Sequence, residues 1–371
     1  MPDSHSKIKI AYVIDNYYPG GGSENQLITL IDHLDRSRFE PYVFNLRPRW
    51  PQMTYPSHCP IAFLDILSLW SVNGYRALRR LAQFLRDESI DIVQVYFMES
   101  RILGTLAARR AGMARIVFCR RDMGMSRNWL RRRLAARSDY CIVNADRVRE
   151  FVIETERFPA ERIETIYNGV RLKQPVGERM TRESLKIPEQ VPIVGLIGNY
   201  RPVKRIDRFL RVAAAVRDER AHYLAVGHGP LRTELQAQAE ALGIAERCRF
   251  FRTIDGIPDV LDMLTVGVST SESEGLSNVL IEYALAGKPA VAFDVGGNSE
   301  IIRHEQTGYI VPVADESAMV ARIEHLLANP AARLEMGAEA RRYSMERFDV
   351  ESMVHRTEAF YERIVANRTG R

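Results

Sequence analysis

The stretch Ser271-Glu272-Ser273-Glu274-Gly275-Leu276-Ser277-Asn278-Val279-Leu280-Ile281-Glu282 holds the residue types best suited to chemistry. A helix is predicted to start near Ser277, with Glu274 just before it and Glu282 a turn or so inside. The N–H groups and positive dipole end of such a helix suit a phosphate, and the flanking carboxylates can accept hydrogen bonds from sugar hydroxyls. Upstream, a predicted strand ending in Gly198 runs into Asn199-Tyr200-Arg201-Pro202-Val203-Lys204-Arg205. Three cations at a strand's carboxyl end can neutralise a diphosphate, arginine as a fork and lysine as a point charge. Gly227-His228-Gly229-Pro230 and Gly296-Gly297-Asn298-Ser299-Glu300 follow further predicted strands. In the first half, Gly20-Gly21-Gly22-Ser23-Glu24 reads as a tight turn into a helix, with Ser23 as N-cap. A dinucleotide fingerprint needs glycine at position 25, where Asn25 stands, which argues against NAD. Cys59, Cys119, Cys141 and Cys248 show no metal-ligand spacing, and no D-x-D motif sits at a strand end. Neither a metal nor a cofactor is expected.

These residues must be positioned by alternating β and α elements. Strands are predicted at 7–15, 41–46, 91–95, 115–119, 140–143 and 163–166, with amphipathic stretches between most of them. A second alternation has strands at 192–197, 223–226, 249–251, 266–269, 289–293 and 309–311. Such alternation predicts parallel sheets covered on both faces. Residues 171–189 lack an apolar period and read as a linker. With 371 residues, 46% hydrophobic and 27% charged, the chain suits two globular domains. No run approaches the roughly 18–20 apolar residues of a membrane span. Residues 1–6 run straight into a strand pattern without a signal peptide, which points to the cytoplasm. Charge is uneven: up to Leu172 there are 26 Lys and Arg against 19 acids, and beyond it 26 against 28. Eleven arginines and one acid, Asp122, fall between Arg101 and Arg137.

The second half resembles the large retaining glycosyltransferase family 4, which has the GT-B fold. Glu274 to Glu282 resembles its E-x7-E signature, and VGHGP, SESEGLSNVLIEYALAGKPAVAFDVGGNSEII and TGYIV follow the family's order. In the first half GGSENQL resembles the Gly-rich acceptor-side loop, and Tyr167-Asn168-Gly169-Val170 the segment before the interdomain linker. The resemblance implies an α/β chain of two doubly wound Rossmann-like domains facing an interdomain cleft. The expected boundaries are 1–172 for an acceptor-side domain, 173–190 for a linker and 191–348 for a nucleotide-sugar domain. The last helix, 349–371, can pack back on the first domain.

The resemblance also implies roles. Glu282 would hold the donor ribose, Glu274 hydroxyls of the transferred sugar, and backbone N–H groups at Gly275, Leu276, Ser277 and Asn278 the sugar and diphosphate. Lys204 would contact the diphosphate, and Gly21 and Gly22 would close over it. The donor is a nucleoside-diphosphate sugar, UDP ahead of GDP, and the acceptor a glycan or lipid-linked molecule of cell-surface polysaccharide or glycolipid synthesis. Such enzymes work without metal. Two departures stand out. Asn199 replaces an expected arginine, for which Arg201 can substitute, and Arg120-Arg121-Asp122 stands where the family often has a histidine. Arg121 cannot be a general base, so it is assigned to binding phosphate or an anionic acceptor beside the reacting carbon. Ser126 to Leu134 reads as a basic helix carrying Trp129, so 120–137 is expected to meet an anionic membrane surface from the cytoplasmic side. Nucleic acid is not expected, since no groove-reading motif accompanies the charge. The alternatives are a nucleotide-sugar epimerase of the same fold and a non-catalytic nucleotide-sugar-binding subunit.

Overall fold

The computed structural model describes residues 7–50, 53–56, 58–113, 115–124, 133, 137–175, 177, 179–252 and 256–367. It divides into two compact units, Met1–Gly169 with Val350–Arg371, and Val170–Asp349.

Unit 1 holds seven strands: β1 (Ile8–Ile14), β2 (Phe39–Asn45), β3 (Ile61–Phe63), β4 (Ile92–Val95), β5 (Ile116–Arg120), β6 (Tyr140–Val143) and β7 (Ile163–Thr165). All pair in parallel, in the order β3-β2-β1-β4-β5-β6-β7. The helices between them are α1 (Gly22–His33), α2 (Val72–Asp87), α3 (Met98–Arg110) and α4 (Asp146–Glu156). The central strands β1 and β4 are almost wholly buried, which is why they read as continuous apolar runs rather than alternating ones. The carboxylate of Asp15, one residue past β1, accepts the Ser100 N–H at 3.0 Å in the first turn of α3, joining the exits of β1 and β4.

Unit 2 has six strands: β8 (Ile193–Ile197), β9 (His222–Val226), β10 (Cys248–Phe251), β11 (Val266–Ser269), β12 (Ala290–Phe293) and β13 (Gly308–Val311). The order is β10-β9-β8-β11-β12-β13, again all parallel. Its helices include α5 (Ile206–Ala215), α6 (Arg232–Ala241), α7 (Ile257–Met263), α8 (Asn278–Leu285), α9 (Asn298–Ile301), α10 (Glu316–Ala328) and α11 (Pro330–Arg347). The segment 173–190, expected as a linker, belongs to this unit. Ile187 is buried, the Met180 N–H donates to Asp259 at 2.9 Å, and Arg182 donates to the carbonyls of Val191 and Met263.

The last helix, α12 (Val350–Ala366), belongs to unit 1. Val350, Met353, Val354, Phe360, Tyr361 and Ile364 join the core built from β1, β2, β4 and α1. Tyr361 also closes a buried polar chain. Its hydroxyl donates to Gln94 Oε1 at 2.7 Å and lies 3.2 Å from the Tyr12 hydroxyl, while Gln94 Nε2 donates to the Tyr96 hydroxyl at 2.7 Å. Removing the Tyr361 hydroxyl leaves Gln94 Oε1 and the Tyr12 hydroxyl without this partner, at a cost of about 1–3 kcal/mol. Tyr361→Phe should therefore destabilise unit 1 by about that amount, read as a lower urea midpoint at unchanged m-value. An unchanged midpoint would mean the chain does not hold the helix.

Candidate active site

In unit 2 the winding reverses between the adjacent strands β8 and β11. Ligands of open parallel sheets bind beyond the carboxyl ends of such a pair, where the loops diverge. The loops here are 198–205 and 270–277, and hydrogen bonds strap them together. Thr270 Oγ1 donates to the carbonyls of Lys204 and Arg205 at 3.0 and 2.9 Å, and the Glu272 N–H donates to the Val203 carbonyl at 2.9 Å. The turn after β12 supports the second loop. Gly296 has φ of 52°, and any Cβ there would strike the Glu274 carbonyl; the Gly297 N–H donates to Gly275 at 2.7 Å. The turn after β9 supports the first, with Tyr200 N–H donating to the His228 carbonyl at 2.8 Å. The glycines of both turns allow backbone to approach backbone.

This framework brings Lys204 and Glu274 together, Nζ to Oε1 at 2.6 Å, with their side chains 29% and 13% exposed. Arg205, in the left-handed region at φ of 47°, is committed elsewhere: it forks Asp207 with two bonds of 2.9 Å and reaches Glu272 at 2.7 Å. Of the three cations expected to serve a diphosphate, Arg205 is therefore held by carboxylates. Arg201 is exposed, and its guanidinium has no partner among the described residues. Burial, together with the charges of Arg252 and Arg201, lowers the pKa of His228, which favours its neutral form at pH 7.

Helix α8 begins after Ser277, as the sequence predicts. The N–H groups of Gly275, Leu276 and Ser277 have no partner among the described residues. Glu282 lies one turn along α8, and its carboxylate has no hydrogen bond or ion pair among the described residues. Burial pushes its pKa up from 4.5 to about 7, with Lys173 pulling it partly back.

The unit 1 candidates sit differently. The N-cap of α1 is Gly21, not Ser23, and Gly22 opens the helix. Glu24, third in the helix, folds its carboxylate over Gly21, so closely that any side chain at Gly21 would collide with it. This is half of a capping box, with glycine in the place of serine. The helix end expected to meet phosphate therefore already carries a carboxylate. Arg121 leaves β5 and donates to Asn168 Oδ1 at 2.6 Å. Beside it lies a cluster that sequence reasoning missed. Arg101 bonds Glu156 at 3.3 Å, and Arg120 lies 3.2 Å from the other oxygen of that carboxylate. The available signal was an arginine directly preceding the small and mostly apolar run Ile102-Leu103-Gly104-Thr105-Leu106-Ala107-Ala108 of α3. Of the basic helix expected at 126–134, all but Arg133 lies outside the described residues.

Two all-parallel, doubly wound units define the GT-B fold of glycosyltransferases. Two family models match: Glycosyltransferase Family 4 over residues 20–174 and Glycosyl transferases group 1 over residues 178–343. Together they span most of the chain, which belongs to the group 1, family 4 glycosyltransferases. Among curated relatives, the N-acetyl-alpha-D-glucosaminyl L-malate synthase of Bacillus anthracis is 30% identical over 206 residues, 55% of this chain and 54% of that protein. The poly(ribitol-phosphate) alpha-N-acetylglucosaminyltransferase of Staphylococcus aureus is 28% identical over 58% of this chain and 44% of its own. The match thus spans about half the length of these relatives. Among solved structures, HepE of Anabaena in complex with UDP superposes with a TM-score of 0.79 at 19% identity, covering 96% of this chain and 100% of that one.

Glu282 gives the site a pH signature. Its pKa is higher folded than unfolded, so its contribution to stability is complete below about 4.5 and is lost as the pH rises through about 7. Glu282→Gln should match wild type at pH 4 and, without ligand, exceed it by on the order of 1–3 kcal/mol at pH 8. Thermal melts at the two pH values test this, and an equal difference at both would refute the raised pKa of Glu282.

Proposed function

We propose that the protein transfers a hexose, with retention of anomeric configuration, from a UDP-sugar to a glycan or lipid-linked acceptor in cell-surface polysaccharide or glycolipid synthesis. The observation that carries this reading is the constellation at the β8–β11 exits: a half-buried Glu282 with no ion-pair partner among the described residues, the Lys204–Glu274 pair, and backbone N–H groups without a partner between them. Ribose hydroxyls supply the donors that Glu282 lacks. A sugar hydroxyl donates to Glu274. Lys204, Arg201 and the amides of Gly275, Leu276, Ser277 and Asn278 take the diphosphate, whose charge grows as its bond to the anomeric carbon breaks. The acceptor oxygen forms the new bond, and its proton leaves with the nucleoside diphosphate or to solvent. Cationic side chains and a helix end at the leaving group supply what a divalent metal would otherwise provide. The preference for UDP is supported by the UDP bound in the Anabaena structure.

UDP at 100 times its Kd should stabilise the protein by about 2.7 kcal/mol. Glu282→Ala should abolish that shift, and Glu274→Ala should weaken a UDP-sugar more than UDP. Turnover should persist in excess EDTA. Activity lost in EDTA and restored by magnesium would refute the metal-free step, and donor epimerised without acceptor would replace the transferase reading with an epimerase.

The second element of the proposal is attachment to an anionic membrane surface from the cytoplasmic side. Among the described residues no helix is long and apolar enough to cross a membrane. The entry to α2, however, exposes Leu67 (78%), Trp70 (62%), Val72 (67%) and Tyr75 (57%). Val72, Tyr75, Arg76 and Arg79 share one helical face, and Arg76, Arg79 and Arg80 are exposed. Aromatic and aliphatic side chains beside arginines fit a headgroup layer. Each arginine near an anionic bilayer contributes about 1 kcal/mol. Replacing all three with serine should therefore weaken sedimentation with anionic vesicles by about 3 kcal/mol, and high salt should do the same. Wild-type protein that ignores anionic vesicles at low salt would overturn this element. Loss only on changing Arg131, Arg132 and Arg133 would move the surface to 120–137.

A further inference from the structure

At the carboxyl end of the unit 1 sheet lies a cavity of about 330 Å³ whose polar wall is made by Arg101, Arg120 and Arg121, with Tyr96 and Phe118 on its apolar side and Ser23 of α1 at its rim. Two of the three guanidinium groups are compensated. Arg101 is only 5% exposed, lies 3.4 Å above the Phe118 ring and bonds Glu156 at 3.3 Å. Arg120 lies 3.2 Å from the second oxygen of Glu156 and 3.1 Å from Asp122. One carboxylate thus bridges two arginines and fixes that wall.

Arg121 is held differently. Its partner is a neutral amide oxygen, Asn168 Oδ1, and no carboxylate pairs with it among the described residues. Its Nε is buried and has no hydrogen-bond partner. Arginine does not shed its proton, so the group cannot become neutral to relieve this. A buried donor left without an acceptor is destabilising, and an arriving acceptor atom removes that cost. Three cations against two carboxylates leave the wall one positive charge in excess, at a strand exit where open α/β sheets take their ligands. The diphosphate of the donor has its own cations, Lys204 and Arg201, in unit 2.

We propose that this cavity binds an anionic group of the acceptor, a carboxylate or a phosphate, with Arg121 as its fork and the Arg101–Glu156–Arg120 bridge as the support that keeps the wall in place. The proposal rests on the transferase reading for the word acceptor, while the anion site itself does not.

The test titrates inorganic phosphate and malonate against wild type, Arg121→Gln and Arg121→Lys at constant ionic strength, with chloride as the reference anion and UDP binding measured separately. Phosphate, malonate or both should raise the wild-type melting temperature beyond chloride, and whichever does so identifies the oxyanion. Arg121→Gln should lose at least tenfold in that affinity. Arg121→Lys keeps the charge without the fork and should fall between, which keeps the test alive if the glutamine variant does not fold. UDP affinity should stay within twofold in both variants. Stabilisation no greater than with chloride, or wild-type anion affinity in a folded variant, overturns the proposal. A parallel loss of UDP affinity overturns it by assigning Arg121 to the donor. If wild type binds the anion but no nucleotide, the transferase reading fails and the anion site stands.

Discussion

The contact on which the unit 2 site depends is backbone against backbone. At the β8–β11 winding reversal, two loops leave toward opposite faces of the sheet, and left to themselves they would diverge. Thr270 and Glu272 draw the second loop onto the first, and the turn at Gly296 and Gly297 presses against the carbonyls of Glu274 and Gly275. Everything chemical follows from that clamp. It sets the 2.6 Å separation of Lys204 and Glu274, and it holds the amides of 275–277 in an arrangement where they have no internal partner. A methyl group at Gly296 would act on the site without touching a ligand, by pushing the Glu274 carbonyl away.

Charge is handled in two ways around the sheets. Where the structure needs a cation in place, it pairs it: Arg205 with Asp207 and Glu272, Arg101 and Arg120 with the shared Glu156. Burial lowers the pKa of Arg101 while Glu156 opposes the shift, so the buried charge is tolerated through its partner. At the two positions we propose for ligands, one partner is missing. Glu282 is desolvated without a cation in contact, and Arg121 has an amide where a carboxylate would complete it. Lys204 and Glu274 form an intermediate case, each orienting the other at a half-buried position.

Much of the fold was legible because parallel strands buried on both faces announce themselves as short apolar runs, and β1, β4, β8 and β11 read that way. β3 was not legible: three residues after Pro60, half-buried at the sheet edge, carry no periodic signal. Residues 173–190 misled for the opposite reason. They lack apolar periodicity, yet Arg182 and Met180 tie them to unit 2 through polar bonds that periodicity cannot show. In the site, the approach of Glu274 to the helix start could be read from local spacing. The pairing of Lys204 with Glu274, seventy residues later, could not, because it is set by sheet order. Nothing in the local sequence marks Asp207 and Glu272 as partners of Arg205; the fold pairs them with it. Ser23 was a reasonable N-cap by residue type, but the Glu24 carboxylate reaching back favours glycine one turn earlier, where there is space for it.

The left-handed conformation of Arg205 belongs to the same logic. A non-glycine residue at φ of 47° costs on the order of 1–3 kcal/mol and persists only when its surroundings over-determine it. Here they do: Thr270 takes its carbonyl, and Asp207 and Glu272 take its guanidinium. The bend turns the chain sharply between the short helical turn at Pro202–Lys204 and α5, so that Lys204 faces Glu274 while Arg205 turns back to the protein. A glycine would adopt the bend more easily, but it would give up the three anchoring bonds and let the loop wander before a ligand arrives. Arginine makes the bend rigid, so the ordering of this loop is met during folding and not at binding, where it would lower affinity for the diphosphate we propose there.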